Sequence, residues 1–345
     1  MVAAPGFDLE SFHERAVRTP SDEDVGEMRD LLCDTLREHG VEPRVDEGGN
    51  VLAARGASDP TTHLVLNTHI DTVPPHVPYE RDGEVVRGRG SCDAKGPLAA
   101  ILAAFLAYDG DDSADGDDPV DDGPGVRNRL VEHNVHEQVA IARETEAAAH
   151  AAEPASGVNA VAAAEGALSA IRAFDAERDP HPDLGPATLT PTVIAGGEAT
   201  NQVPADCAIT VDRRSVPPET ADGFASELER AVDDATPDPV GVDFAPTERP
   251  TPFLEAFATD PDSPVVRHLS AAAKRVTDGA AGTVRPFTAA TEASYFSPAP
   301  TVVFGPGVLA DDDGPVAHAD REYVRVAEVE RAATALTEAL DALLG

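Results

Sequence analysis

Between His63 and Tyr108 the chain passes from an apolar run, through a glycine-rich loop, into an alanine- and leucine-rich stretch. That succession restricts the fold more than any other part of the sequence. His63-Leu-Val-Leu-Asn-Thr-His69 reads as a buried strand that carries polar residues to its C-terminal end, where α/β sheets gather ligands. Gly96-Pro97 opens a helix to about Tyr108, with proline at the favoured first position. His69-Ile-Asp71 places two side chains on one face of an extended chain, because strand side chains alternate. A histidine can ligate a metal through one ring nitrogen while a carboxylate orients the other. His-x-Asp is common, and taken alone it fits an ordinary polar strand end better than a metal site. Its weight comes from its surroundings: Asp71-Thr-Val-Pro74 follows at once, and Gly88-Arg-Gly-Ser-Cys-Asp93-Ala-Lys-Gly96 sets a second carboxylate before a helix.

The string His69-x-Asp-Thr-Val-Pro with Gly88-Arg-Gly-x-x-Asp-x-Lys-Gly resembles the zinc-dependent metallopeptidase and amidohydrolase family of acetylornithine deacetylase, succinyl-diaminopimelate desuccinylase, aminoacylase and carboxypeptidase G. The resemblance extends over most of the chain. Ala149-His150-x-x-x-Pro154-x-x-Gly157-x-Asn159-Ala160 is similar to the start of that family's lid domain. Gly196-Gly197, Asn201-x-Val-Pro204 and Asp212-Arg-Arg214 are similar to its later lid strands. Phe304-Gly-Pro-Gly307, Ala317-His318 and Glu322-Tyr-Val324 are similar to its closing catalytic segment.

The resemblance implies an α/β catalytic domain with helices around a mixed sheet, interrupted by a smaller α+β lid or dimerisation domain. Residues 1–108 and 251–345 would form the catalytic domain and 149–250 the lid, with 109–148 an atypical segment between them. The family centre holds two zinc ions, for which cobalt or manganese can substitute. His69 would bind one ion, His318 the other, and Asp93 would bridge them, with Asp71 orienting His69. His150, supplied by the opposite subunit of a homodimer, and Asn201 and Arg214 would reach the substrate's carbonyl or carboxylate. Glu292, where relatives carry Thr-Asp-Ala, would support the site from behind. The implied activity is hydrolysis of an amide bond in N-acyl amino acids or short peptides by a water that the two ions activate. Without the resemblance, His318 reads as a loop histidine, His150 as helix surface, Asn201 as a turn former and Arg214 as an exposed ion-pair partner.

One part of the family pattern is missing. A strand a few dozen residues after the bridging aspartate should end in a Glu-Glu pair, giving the general base and a ligand for the ion bound by His318. No Glu-Glu pair occurs anywhere in the 345 residues. Residues 109–125 are a low-complexity acidic run that reads as a solvated loop. Residues 126–148 read as a helix with a loose apolar face of Leu130, Val131, Val135, Val139 and Ala142, and His133 with Glu137 is an i,i+4 pair on one helical face. That segment reads as a replacement for the catalytic strands and the first lid strand. An impaired or inactive remnant of the family is therefore the alternative function.

Elsewhere the periodicity predicts further elements. Ser21-Asp-Glu-Asp24 has the form of a capping box before a helix closed by Gly40. Short strands are expected around Gly48-Gly49, and a helix ending near Phe174. Strands are expected at Ala187–Ile194, Cys207–Asp212, Val240–Phe244 and, in the core, Thr301–Phe304. Helices are expected from Glu219 to about Val232 and from Val326 to Leu344.

Sixty-three acidic residues against 26 basic ones give a net charge of −37, and Lys95 and Lys274 are the sole lysines. Such a surface repels nucleic acid and fits solubility in high salt, where charge is screened. No apolar run is long enough to span a membrane, and the first residues lack the basic and apolar regions of a signal peptide. A cytoplasmic location is expected, with a small-molecule substrate and neither membrane nor nucleic acid as a partner. Cys33, Cys92 and Cys207 form no CxxC pair and read as core residues.

Overall fold

The computed structural model describes residues 6–56, 62–108, 136–143, 152, 157–182, 184–236, 240–246, 255–287 and 291–344. In chain order its first elements are α1 (Leu9–Arg18), α2 (Gly26–Glu38), β1 (Arg44–Val45), β2 (Val51–Leu52), β3 (Glu80–Asp82), β4 (Val85–Arg87) and α3 (Lys95–Ala107). Next come β5 (His136–Arg143), α4 (Ala160–Ala173), β6 (Thr188–Gly196), β7 (Asp206–Arg214), α5 (Ala221–Ala235) and β8 (Val240–Pro246). The chain closes with α6 (Pro264–Val276), β9 (Ala310–Asp311), β10 (Gly314–Pro315), β11 (Tyr323–Arg325) and α7 (Val326–Leu344).

Contacts divide the chain into two units. One comprises the described residues of Met1–Leu130, Thr259–Val284 and Pro300–Gly345; the other comprises those of Val131–Ala258 and Arg285–Ala299. In the first unit α3 is almost wholly apolar and buried along both sides, as expected of a helix enclosed by other elements. It packs on α7 and α1, and α7 packs in turn on α6. The main core of this unit joins α1, α2, α3, β11 and α7 through Phe12, Val17, Met28, Leu36, Leu98, Leu102, Val324 and Val329. A three-stranded antiparallel sheet, in the order β11-β4-β3, ties the chain near the C-terminus to the segment before the glycine-rich loop.

Three sequence expectations are altered here. α2 begins at Gly26, not on a capping box: Asp24 Oδ1 accepts the Gly26 amide, while Ser21 is buried against Thr72. His63–His69 and Thr301–Phe304 are extended, but neither belongs to a ladder among the described residues. Alternation survives in the first part of His63–His69, where Leu64 and Leu66 are half-buried between exposed neighbours. Apolar alternation favours an extended chain, but a strand also needs a backbone partner. Val65 is 66% exposed and Val303 48%.

The second unit is a four-stranded antiparallel sheet, in the order β6-β7-β5-β8, with α4 and α5 packed on it. Along β7 burial alternates, so Cys207, Ile209 and Val211 point into a core with Ile171, Phe224, Leu228 and Val232. The sequence reading of residues 126–148 is corrected at β5, whose backbone pairs His136 with Asp212 and Arg143 with Val240. Residues 136–143 are a central strand of this sheet, so Glu137 belongs to a strand instead of a helical His-Glu pair. Alternating apolar residues Val139 and Ile141 suit a two-sided ladder as well as they suit a helix. The long-range partners β7 and β8 decide between the two. The acidic run 109–125 and His133 lie outside the described residues.

Candidate metal centre

The glycine-rich loop before α3 is shaped by its own sequence. Gly88 and Gly90 have φ of +135° and +86°, a region closed to most side chains. A Cβ on Gly96 would lie 2.5 Å from the Ser91 carbonyl oxygen, so the loop turns tightly onto the start of α3. Lys95 is fully buried and donates to the Thr19 carbonyl at 2.6 Å; burial lowers its pKa to about 8 despite nearby Glu322 and Asp22. His13 of α1 meets the Ser91 carbonyl at 3.1 Å, and burial holds the ring at about 4. The loop is thus packed from three sides. Asp93 projects from it, followed by a cis Asp93–Ala94 peptide bond.

The structure brings together four of the residues singled out in the sequence. Asp93 Oδ1 lies 3.2 Å from His69 Nε2, and Asp93 Oδ2 lies 3.0 Å from His318 Nε2. Asp71 faces the other nitrogen of His69, with Oδ1 at 3.2 Å and its backbone carbonyl at 3.0 Å. One carboxylate therefore joins two imidazoles, and one of these is oriented from behind by a second carboxylate. Electrostatics follows the geometry. Burial opposes ionisation of Asp93, but hydrogen bonds from His318 and His69 hold its carboxyl well below the usual range. Burial disfavours a charged His69, yet the bonds to Asp71 and Asp93 raise it well above the ordinary histidine value. Asp93 likewise raises His318. His318 also has φ of +65°, a conformation that a non-glycine residue keeps only where its surroundings enforce it.

The enforcing contacts come from the segment around His318. Arg321 donates to Asp311, to the Gly314 carbonyl at 2.8 Å and to the Pro315 carbonyl at 3.0 Å, locking the β9–β10 hairpin to the turn that presents His318. Glu322, fully buried, accepts the Cys92 and Asp93 amides at 3.2 Å each and an Arg89 N–H at 3.1 Å. The sequence reading placed Arg89 and Glu322 inside matching strings without giving either a role. Nothing local singles out either residue: Glu322 follows Asp320 and Arg321, and Arg89 lies two residues after Arg87.

The donor set suits a bridged pair of ions in part. Two ligands on a tetrahedral zinc, each about 2.0–2.2 Å from the ion, lie roughly 3.4 Å apart. The two His–Asp93 separations are close to that edge, so each imidazole with one Asp93 oxygen forms half of a site. A catalytic zinc commonly takes three protein ligands. Among the described residues no group of three or more His, Cys, Asp or Glu side chains converges to hold an ion.

The other singled-out residues lie elsewhere. Arg214, at the end of β7, is paired with Asp212 at 2.9 Å and is 41% exposed, and Asn201 is exposed in the turn between β6 and β7. Glu292 opens a short 3-10 helix, Glu292–Phe296, in the second unit. His150 lies outside the described residues. The three cysteines are free and buried, and among the described residues no helix is long and apolar enough to cross a membrane.

Comparison with known proteins finds two matching families. Residues 65–116 match the model of peptidase family M20/M25/M40, and residues 142–239 match that of the peptidase dimerisation domain. A protein of Pyrobaculum aerophilum named as a candidate LysW-lysine/LysW-ornithine hydrolase is 28% identical over 337 residues, covering 92% of each chain. Among solved structures, aminopeptidase PepT of Bacillus cereus superposes with a TM-score of 0.65 over 98% of both chains at 18% identity. The YXEP protein of Bacillus subtilis, a dinuclear metal binding peptidase, superposes with a TM-score of 0.62 over 97% of both at 14% identity. The chain thus carries, in order, segments matching the M20/M25/M40 peptidase model and the peptidase dimerisation-domain model, and along nearly its whole length it is similar to hydrolases and peptidases.

Proposed function

We propose that this protein hydrolyses the amide bond of an N-acyl amino acid or short peptide at a centre built on Asp93. The observation that carries this reading is the Asp93 carboxylate, with each oxygen facing one histidine. His69 and His318 would each hold one divalent ion, zinc by family habit, and Asp93 would bridge them. When bound, such a pair polarises the scissile carbonyl and lowers the pKa of a water held between the ions. Asp71 fixes the ring of His69 so that Nε2 faces the centre. Arg214 offers a planar fork for a substrate carboxylate, and Asn201 and His150 are assigned to the substrate's carbonyl by family resemblance. The name of the Pyrobaculum relative, a hydrolase of LysW-lysine and LysW-ornithine, fits an amino-acid-releasing amidase. Homodimerisation is part of the same reading. The dimerisation-domain match supports it, as does the exposed edge strand β6 with Val193 and Ile194 outward.

A second reading, loss of turnover, is favoured by one observation: the chain contains no Glu-Glu pair. Loss of a general base alone typically costs about 10²–10⁴-fold in rate. Metal analysis of the purified full chain, with turnover assays on acetylated and succinylated amino acids, separates the two. Bound zinc and chelator-sensitive hydrolysis are expected. A metal-free protein without turnover after zinc addition would establish the remnant.

A further inference from the structure

We propose that Glu322 is the positioning residue of this centre, with Arg89 as its anchor, joining the loop that carries Asp93 to the turn that carries His318. The inference rests on the functional reading above, but its geometry stands on its own. Glu322 Oε1 accepts two successive amides, Cys92 and Asp93, and lies 3.6 Å from Cys92 Sγ. Oε2 accepts from Arg89 at 3.1 Å. Arg89 also donates to the Ala319 carbonyl at 3.0 Å and the Pro75 carbonyl at 3.2 Å. Two backbone bonds complete the weld, Gly88 N–H to the Glu322 carbonyl at 3.2 Å and Glu322 N–H to the Ala319 carbonyl at 3.1 Å. His318 precedes Ala319 directly, so both arms of the centre hang from one ion pair.

Stability alone does not call for this arrangement. Glu322 is 0% exposed and Arg89 1%, and an apolar pair of similar volume commonly serves a core as well or better. An apolar pair cannot hold two adjacent amides in a fixed direction. Hydrogen bonds to a charged acceptor are stronger than neutral ones, and here two of them, at 3.2 Å each, hold the backbone from which the Asp93 carboxylate reaches both histidines. Partners one step behind the ligands typically govern metal affinity by about 10–100-fold.

Glu322→Gln, and Glu322→Asp to keep the charge opposite Arg89 while withdrawing the carboxylate, test this in the full chain. Two readouts are needed: Co²⁺ affinity by calorimetry, and the nitrogen-15 NMR shifts of the Cys92 and Asp93 amides and of the His69 and His318 rings without metal. Expected for the folded variants are affinity weaker by about 10–100-fold, amide resonances displaced and the imidazole shifts moved away from their Asp93-bonded values. Unchanged Co²⁺ affinity and unchanged ring shifts in a folded variant would overturn the proposal. Should the wild type bind no Co²⁺, the functional reading fails. The positioning role is then decided by the metal-free shifts: displaced, it stands; unmoved, it falls.

Discussion

Arg213 and Arg214 are neighbours on β7 with opposite surroundings. Arg213 is 0% exposed, paired with Asp175 at 2.5 Å and Glu219 at 2.8 Å, and stacked against Phe174 and Phe224. Its neighbour faces the other side of the strand beside Asp212. Removing one partner of a buried ion pair costs about 3–5 kcal/mol, whereas exposed positions change stability by roughly 0.5 kcal/mol or less. Arg213→Ala is therefore expected to lower the denaturation midpoint sharply and Arg214→Ala hardly at all. If Arg214 reads the substrate carboxylate, its variant raises KM instead. Equal destabilisation by both would contradict the assignment of faces. His13 gives a pH signature. Its folded pKa is lowered to about 4 from 6.5, so between these values the unfolded chain binds more protons. Its contribution is complete above pH 6.5, falls as pH drops towards 4 and levels off below that. The linked loss is about 3 kcal/mol. Urea midpoints across this range should fall less steeply for His13→Gln than for the wild type.

Helix packing sets the sign of a substitution that local propensity would misjudge. Gly166 lies in the middle of α4, where alanine ordinarily gains about 1 kcal/mol. Here a Cβ would sit 2.2 Å from the Ala235 carbonyl oxygen at the end of α5. Overpacking of this kind costs about 1–3 kcal/mol, so Gly166→Ala is expected to lower the melting temperature. A higher melting temperature would mean that the two helices can separate freely. The same close approach lets the alanine-rich face of α4 and the Phe224, Leu228 and Val232 face of α5 share one core with Ile209 and Val211.

Charge governs the behaviour of the whole molecule. A net −37 on 345 residues makes compaction self-repulsive. Raising ionic strength from about 0.1 M to 1 M shortens the screening length from about 10 Å to about 3 Å. The melting temperature is expected to rise steadily across that range, and scanning calorimetry at several salt concentrations measures it. A flat or falling curve would show that local ion pairs, such as Arg275–Glu338 and Arg81–Glu10, already offset the repulsion.

Sequence alone determined several of the helices, because their apolar faces are periodic and their ends carry local signals: α7 falls on the expected residues and α3 begins one residue early, whereas α1 and α6 were not individually expected. It also pointed to His69, Asp71 and Asp93 through strings that resemble a known family and whose glycines shape the loop, and the structure places these side chains together. Tertiary structure decided what depends on a distant partner. Whether 136–143 is helix or strand rests on β7 and β8. Whether 63–69 is a ladder strand rests on a neighbour that the described residues do not supply. Glu322 belonged to a family-matching string, but nothing local in that string gave it a role. Its importance arises from Arg89 and Asp93, more than two hundred residues earlier in the chain. Periodicity reports which way a residue faces; only the folded chain shows what it faces.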